Sequence, residues 1–265
     1  MASTLRLKRG ATAASDAFTG QSGEVTVNST TNAIVVHDGS TAGGFPQMRA
    51  DGANSQISLG LVSIDYYETA GNHTWSRPSG VNYILVEIQG AGGAGGGGSN
   101  GWTNTWTPGA GGGAGGYIKF WYPLNAGISS FSLVVGAGGI GGLSNGPAGG
   151  SSSFGNFASG NGGGGGIGTA PIDYPGPGIG GSGGTQPGAV SGLTLVPGQD
   201  GTRGFLVTTN NYSFQGAGGN SFLGKGGRLG GIGVDGVKGG GGSGAHSSNW
   251  GGDGGDGLVI VWGYK

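Results

Sequence analysis

The sequence predicts an all-β protein, in which a small N-terminal β-hairpin module precedes a glycine-rich, β-sandwich-like domain. Three observations point there. Glycine supplies 73 of 265 residues and arrives in runs, at 91–98, 109–116, 136–142 and 162–168. The runs are bracketed by stretches of good strand formers at 81–89 and 258–262. The chain also holds 6 Trp, 8 Tyr and 9 Phe at a net charge of −1, whereas disordered chains are poor in aromatics and strongly charged.

Composition removes several function classes. Glycine does not recur strictly at every third position, so a collagen helix is excluded. Eleven Lys and Arg face twelve Asp and Glu, which leaves no basic field for a nucleic acid. Cysteine is absent, and with it any disulfide or thiolate metal site. The first nine residues lack the apolar core of a secretory signal. No stretch reaches the roughly 20 apolar residues of a membrane-spanning helix. The expectation is a protein made in a bacterial-type cytoplasm, without membrane insertion.

Taken in order, Leu5-Arg6-Leu7-Lys8 alternates as a short half-buried strand does. Residues 23–28 and 33–37 are two further strands, joined by the polar turn Ser29-Thr30-Thr31-Asn32. Asp38-Gly39-Ser40 stops the second. So small a module buries too little surface to be stable alone, and oligomerisation would relieve that. Leu5-Arg6-Leu7-Lys8-Arg9-Gly10-Ala11-Thr12, then Gly20, Gly23-Glu24 and His37-Asp38-Gly39-Ser40-Thr41, resembles a small module of bacteriophage tail-fibre proteins and tropism determinants. The resemblance implies a trimer and attachment to other virion tail or fibre proteins. Residues 1–46 are expected to form this module, 47–62 a connector and 63–265 the glycine-rich domain.

The second domain opens with Thr74-Trp75-Ser76-Arg77-Pro78-Ser79-Gly80-Val81, a hydrophobic strand and then glycine. Its later landmarks are Gly113-Ala114-Gly115-Gly116-Tyr117, Leu133-Val134-Val135-Gly136, Ser151-Ser152-Ser153-Phe154-Gly155 and Gly257-Leu258-Val259-Ile260-Val261. Together these resemble the glycine-rich domains of phage tail and fibre proteins. Each ordered glycine costs roughly 0.5–1 kcal/mol against alanine, so something must compensate. Chains without Cβ atoms can lie close enough to hydrogen-bond laterally in several directions, in the three-residue-per-turn polyproline II geometry. Some phage adhesins, which this chain resembles in logic, are built as such polyglycine-II sandwiches. Irregular glycine loops decorating a β-sandwich are the alternative. In either case Phe120, Trp121, Phe131, Phe154, Phe157 and Trp262 are expected to form an apolar layer against the glycines.

Catalytic and cofactor motifs fare poorly. The GxGxxG spacing around 93–98 opens no helix, which a phosphate cradle needs. Gly224-Lys225 lacks the Ser or Thr of a P-loop. Residues 251–259 fit one calcium-binding nonapeptide, a motif that works in tandem stacks. Glycan hydrolysis needs two carboxylates in a cleft, and Asp173, Asp200, Asp235, Asp253 and Asp256 lie in turns or beside glycine. His37, His73 and His246 have no metal-ligand spacing. No cofactor, metal or catalytic residue is expected.

Aromatics in polar islands between the glycine runs carry the functional signal. Trp102 and Trp106 lie in 101–108, Tyr174 in 171–175, Tyr212 in 209–213, and Trp250 after His246-Ser247-Ser248-Asn249. Flat rings beside Asn and Thr suit stacking on a sugar or filling a partner's pocket, as hot-spot residues do; packing on the scaffold is the competing role. The sequence thus predicts a non-catalytic receptor-binding protein of a phage tail fibre, contacting a host surface glycan or outer-membrane protein. A purely structural virion component (head fibre, collar or decoration protein) is the alternative, and a glycan depolymerase the least supported.

Overall fold

The computed structural model describes residues 7–47, 60–100, 106–168, 183–185, 191–207, 212–246 and 248–265. The chain divides into two compact units, Met1–Gly60 and Leu61–Lys265.

In the first unit, β1 (Lys8–Gly10), β2 (Val25–Asn28), β3 (Ala33–Val36) and β4 (Phe45–Pro46) form one sheet in that order. β1 runs parallel to β2, and β2 and β3 make the expected hairpin, with Val27 opposite Ile34. Asn32 closes its turn at φ 52°, a left-handed conformation that Asn tolerates. The strand reading omits one element, the five-residue helix α1 (Thr12–Asp16), which buries no residue. His37 anchors the interior. Its Nδ1 lies 3.3 Å from the Gly20 amide, its Nε2 is 2.9 Å from Thr26 Oγ1, and Phe18 meets its ring edge-on. The Asp38 carboxylate accepts from the amides and hydroxyls of both Ser40 and Thr41. Those contacts, the Thr41 amide foremost, hold its carboxyl well below the usual carboxylate range.

The second unit comprises β5 (Leu61–Tyr67), β6 (Gly71–Ser76), β7 (Tyr83–Gln89), β8 (Ser99–Asn100), β9 (Trp106–Thr107), β10 (Tyr117–Pro123), β11 (Ser130–Val135), β12 (Ser152–Phe154), β13 (Ala158–Gly160), β14 (Gly183–Thr185), β15 (Ser191–Val196), β16 (Phe205–Val207), β17 (Tyr212–Phe214) and β18 (Leu258–Tyr264). Two five-stranded sheets, ordered β15-β10-β7-β18-β5 and β14-β13-β12-β11-β6, pack face to face. Strand alternation sends Ile84, Val86, Ile88, Ile118, Phe120, Val259 and Val261 inward against Trp75, Leu133, Val135 and Phe154. Trp75 is fully buried, stacks on Phe131 and gives its indole N–H to Asp65 at 2.9 Å. Arg77 organises the loop that follows, donating to the carbonyls of Val81, Asn125 and Ile128. Phe120 and Phe154 lie in this core between the sheets, with Phe131 and Phe157 packed against it, where a layer against the glycines was expected. Trp121 and Trp262 do not. They fall one residue out of phase with the inward set and lie on the opposite face of their sheet.

Beyond the strands, the glycine runs are neither helix nor strand, yet their amides are paired by a strict rule. In residues 90–98, Gly90, Gly93 and Gly96 donate to Gly116, Gly113 and Ala110. Ala91, Ala94 and Gly97 donate to Gly150, Pro147 and Ser144, and Gly92, Gly95 and Gly98 to Gly255, Gly252 and Asn249. Three further segments donate back to it, through Gly163 and Gly166, through Gly139, and through Gly242 and Ala245. These bonds measure 2.8–3.0 Å. Every third residue thus addresses the same neighbour, and one extended segment is ringed by others. Residues 109–114 repeat the rule toward Ala245 and Gly242, Ile167 and Gly164, and Thr202 and Gln199.

Candidate binding surface at the end of the glycine array

The hydrogen bonds give the array two distinct ends. At the sheet end, Gly90 bonds Gly116, Gly116 bonds Asn161, and Gly257 bonds Gly136. Gln89, fully buried there, donates its Nε2 to Gly115 O at 2.7 Å and clips two runs together. At the far end, Gly97 bonds Ser144, Gly98 bonds Asn249, Ala110 bonds Ile167 and Gly216 bonds Gly109. Gly233 bonds Trp250, Gly251 bonds Gly142 and His246 bonds Gly231 in the same region. Among the described residues the chain bends there at 143–144 and at 231–232. The amide of Gly168 donates to Asn145 Oδ1 in the same region.

Of the aromatic candidates, Trp106, Tyr212 and Trp250 fall within the described residues. Trp250 is described in full and is 65% exposed. Trp106 stands in β9 opposite Asn100 of β8. Tyr212 stands in β17 opposite Val207 of β16, in a hairpin whose Phe205 and Phe214 stack at 4.8 Å. Trp102 and Tyr174 lie outside the described residues. Sequence reasoning passed over Leu143 (53% exposed) and Ile232 (64% exposed), which lie in bends at 143–144 and 231–232. Their signal was legible: each is an apolar residue directly after a glycine pair, with little local side chain to bury against.

The carboxylates serve the lattice. Asp253 Oδ1 accepts the Gly141 amide at 2.6 Å and Asp256 Oδ1 the Gly138 amide at 2.7 Å. Both pairs are three residues apart, so two carboxylates stand where a further run's carbonyls would. Asp235 Oδ1 accepts the Asp253 amide in turn. Asn145, Ser152, Asn220 and Ser243 side chains accept run amides in the same way. The nonapeptide at 251–259 is thus the rim of the array, and among the described residues no three acidic or histidine side chains cluster to hold a metal. Asp173 lies outside the described residues. His73 Nε2 sits 2.7 Å from Thr69 O. Burial and the Glu87 carboxylate, 2.8 Å from its hydroxyl, push the Tyr117 phenol far up.

The model of a family described as a glycine-rich domain matches residues 68–264. This chain belongs to that glycine-rich domain family. Within the first unit, residues 5–41 match the major tropism determinant N-terminal domain. A relative from Bordetella phage BPP-1, described as a tail fiber receptor-binding protein, is 37% identical over 90 residues. That match takes in 34% of this chain and 23% of the relative, so the chain spans about a quarter of the relative's length.

Proposed function

We propose that this chain is a structural component of a bacteriophage tail fibre that recognises the host surface without catalysis. The observation that supports the reading is the exposure of Trp250, Leu143 and Ile232 at the end of the array opposite the sheets. Contact falls to Trp250 and the segments bearing Trp102, Trp106, Tyr174 and Tyr212, joined by Leu143 and Ile232. The receptor is a host surface glycan or an outer-membrane protein. The first unit, by its similarity to the tropism-determinant domain, attaches the chain to other tail or fibre proteins and brings copies together as a homotrimer on the virion. The glycine segments act as packed polyglycine-II helices. The three-residue partner rule supports this, since that helix has three residues per turn and no internal hydrogen bonds. At about 3.1 Å per residue, a nine-residue run stands about 25 Å tall.

Soluble full-length protein should bind host cells and block adsorption of the parent phage. Trp250→Ala combined with Leu143→Ser should weaken that competition at least tenfold while leaving the melting temperature unchanged. Wild-type protein that neither binds host cells nor competes would leave a structural virion part as the surviving account. New reducing ends released from host polysaccharide would instead reveal an enzyme.

A further inference from the structure

Inside the array the main chain does the pairing, since every amide of 90–98 and 109–116 donates to a main-chain carbonyl. At the rim, side chains take over in a recurrent form. Asp253 accepts the Gly141 amide while the next residue, Gly254, donates to Gly139 O. Asp256 accepts the Gly138 amide while Gly257 donates to Gly136 O. Asn145 accepts the Gly168 amide while Gly146 donates to Gly166 O. In each case an Asp–Gly or Asn–Gly pair grips one neighbouring run at two points, taking the amide two residues beyond the carbonyl it bonds. Asp235–Gly236 grips Asp253 alone, accepting its amide and donating to its carbonyl. Asn145, Asp235, Asp253 and Asp256 are all exposed, whereas residues 90–98 are buried.

The three-residue rule explains why the rim needs such a grip. Successive amides of a run point in three directions, so in a peripheral run one set faces away from the runs beside it. In 136–142, Gly139 donates inward to Gly92 O, and the amides of Gly138 and Gly141 go to the two carboxylates. Without an acceptor, such a row would be to this array what an edge strand is to a sheet, a template on which another chain can pair. We infer that these pairs, Asp253 and Asp256 foremost, terminate the array and close its flank to any further glycine-rich run. Asp and Asn suit the task because their short side chains reach amides close to their own backbone. A main-chain acceptor would belong to a further run with an outward row of its own; a side-chain oxygen satisfies the amide and adds no new row. The excluded occupant is a bare run like those of the interior. Neighbouring runs here leave no room for side chains, as a Cβ on Gly138 or Gly141 would overlap the carbonyl of Gly254 or Gly251. The inference rests on the hydrogen-bonded array and is independent of what the protein recognises.

The test compares full-length wild type with the double variants Asp253→Gly/Asp256→Gly and Asp253→Asn/Asp256→Asn. A fluorescent peptide with the sequence of 90–98 serves as the incoming run. By fluorescence anisotropy, the glycine variant should bind the peptide at least tenfold more tightly than wild type does. The asparagine variant keeps both oxygens without their charge and should bind no more peptide than wild type. Equal binding by wild type and the glycine variant would overturn the inference. So would equal binding by the two variants, since charge rather than the capped amides would then have kept runs apart. A glycine variant whose 90–98 amides exchange like those of a denatured peptide would overturn it as well, because the carboxylates would then be supports of the array and not its boundary.

Discussion

At the scale of single residues, glycine acts here through the space it leaves, more than through the backbone angles it permits. None of the glycines at 90–98 or 109–116 has a left-handed φ. What distinguishes them is proximity, because a Cβ on Gly95 would overlap the Ser243 carbonyl and one on Gly254 the Gly92 carbonyl. Backbone cannot step aside as a side-chain tip can. Gly95→Ala should therefore destabilise the protein by about 1–3 kcal/mol or more, the cost of overpacking. Gly142→Ala, whose Cβ would meet nothing within 4 Å, should be neutral or stabilising by up to about 1 kcal/mol. Denaturant melts of the two variants measure the contrast. Asp38 supplies a second test at this scale. Its folded pKa is depressed, so its contribution is present above the ordinary unfolded value of about 3.9 and fades only as pH falls through the lower folded value. Carboxyl resonances followed by NMR should show Asp38 titrating below an aspartate of the denatured chain.

At the scale of elements, the array's rim works because side chains complete what the main chain begins. Asp253→Ala removes the acceptor of the Gly141 amide and should cost about 1.5–3 kcal/mol, as expected for a hydrogen bond to a charged group. Asp253→Asn keeps an oxygen in place and should lose less than half as much. Added calcium should leave the melting temperature of the wild type unmoved; a rise would restore the ion-binding reading of 251–259. Strand existence was legible in the sequence from alternation in 23–28, where one buried face imposes a period of two, and from an unbroken apolar run in 81–89, a strand buried on both faces. The phase of Trp262 was missed because both faces of β18 are apolar and the pattern no longer says which side is core; that of Trp121 was legible from Lys119, two residues earlier on the same face of β10. Gln89 was equally silent, a polar residue closing a hydrophobic strand whose partner at Gly115 is 26 positions away.

At the scale of the whole molecule, the glycine array should behave as one cooperative body with the sandwich. Amides of 90–98 should exchange with solvent as slowly as those of β7, measured by hydrogen exchange; exchange at the rate of a denatured peptide would sink the array. The sequence announced Trp250 but not that Leu143 and Ile232 stand exposed at the same end of the array, which depends on segments that alternate in direction and are far apart in the chain. A consequence follows from the three-residue partner rule. Removing one residue from inside a run turns every later amide by a third of a circle and aims it at the wrong neighbour, whereas removing three shortens the run and restores each pairing. Runs can thus change length only in threes, while the turns between them are free of that arithmetic, so diversity can accumulate in the turns beside an interior that barely changes.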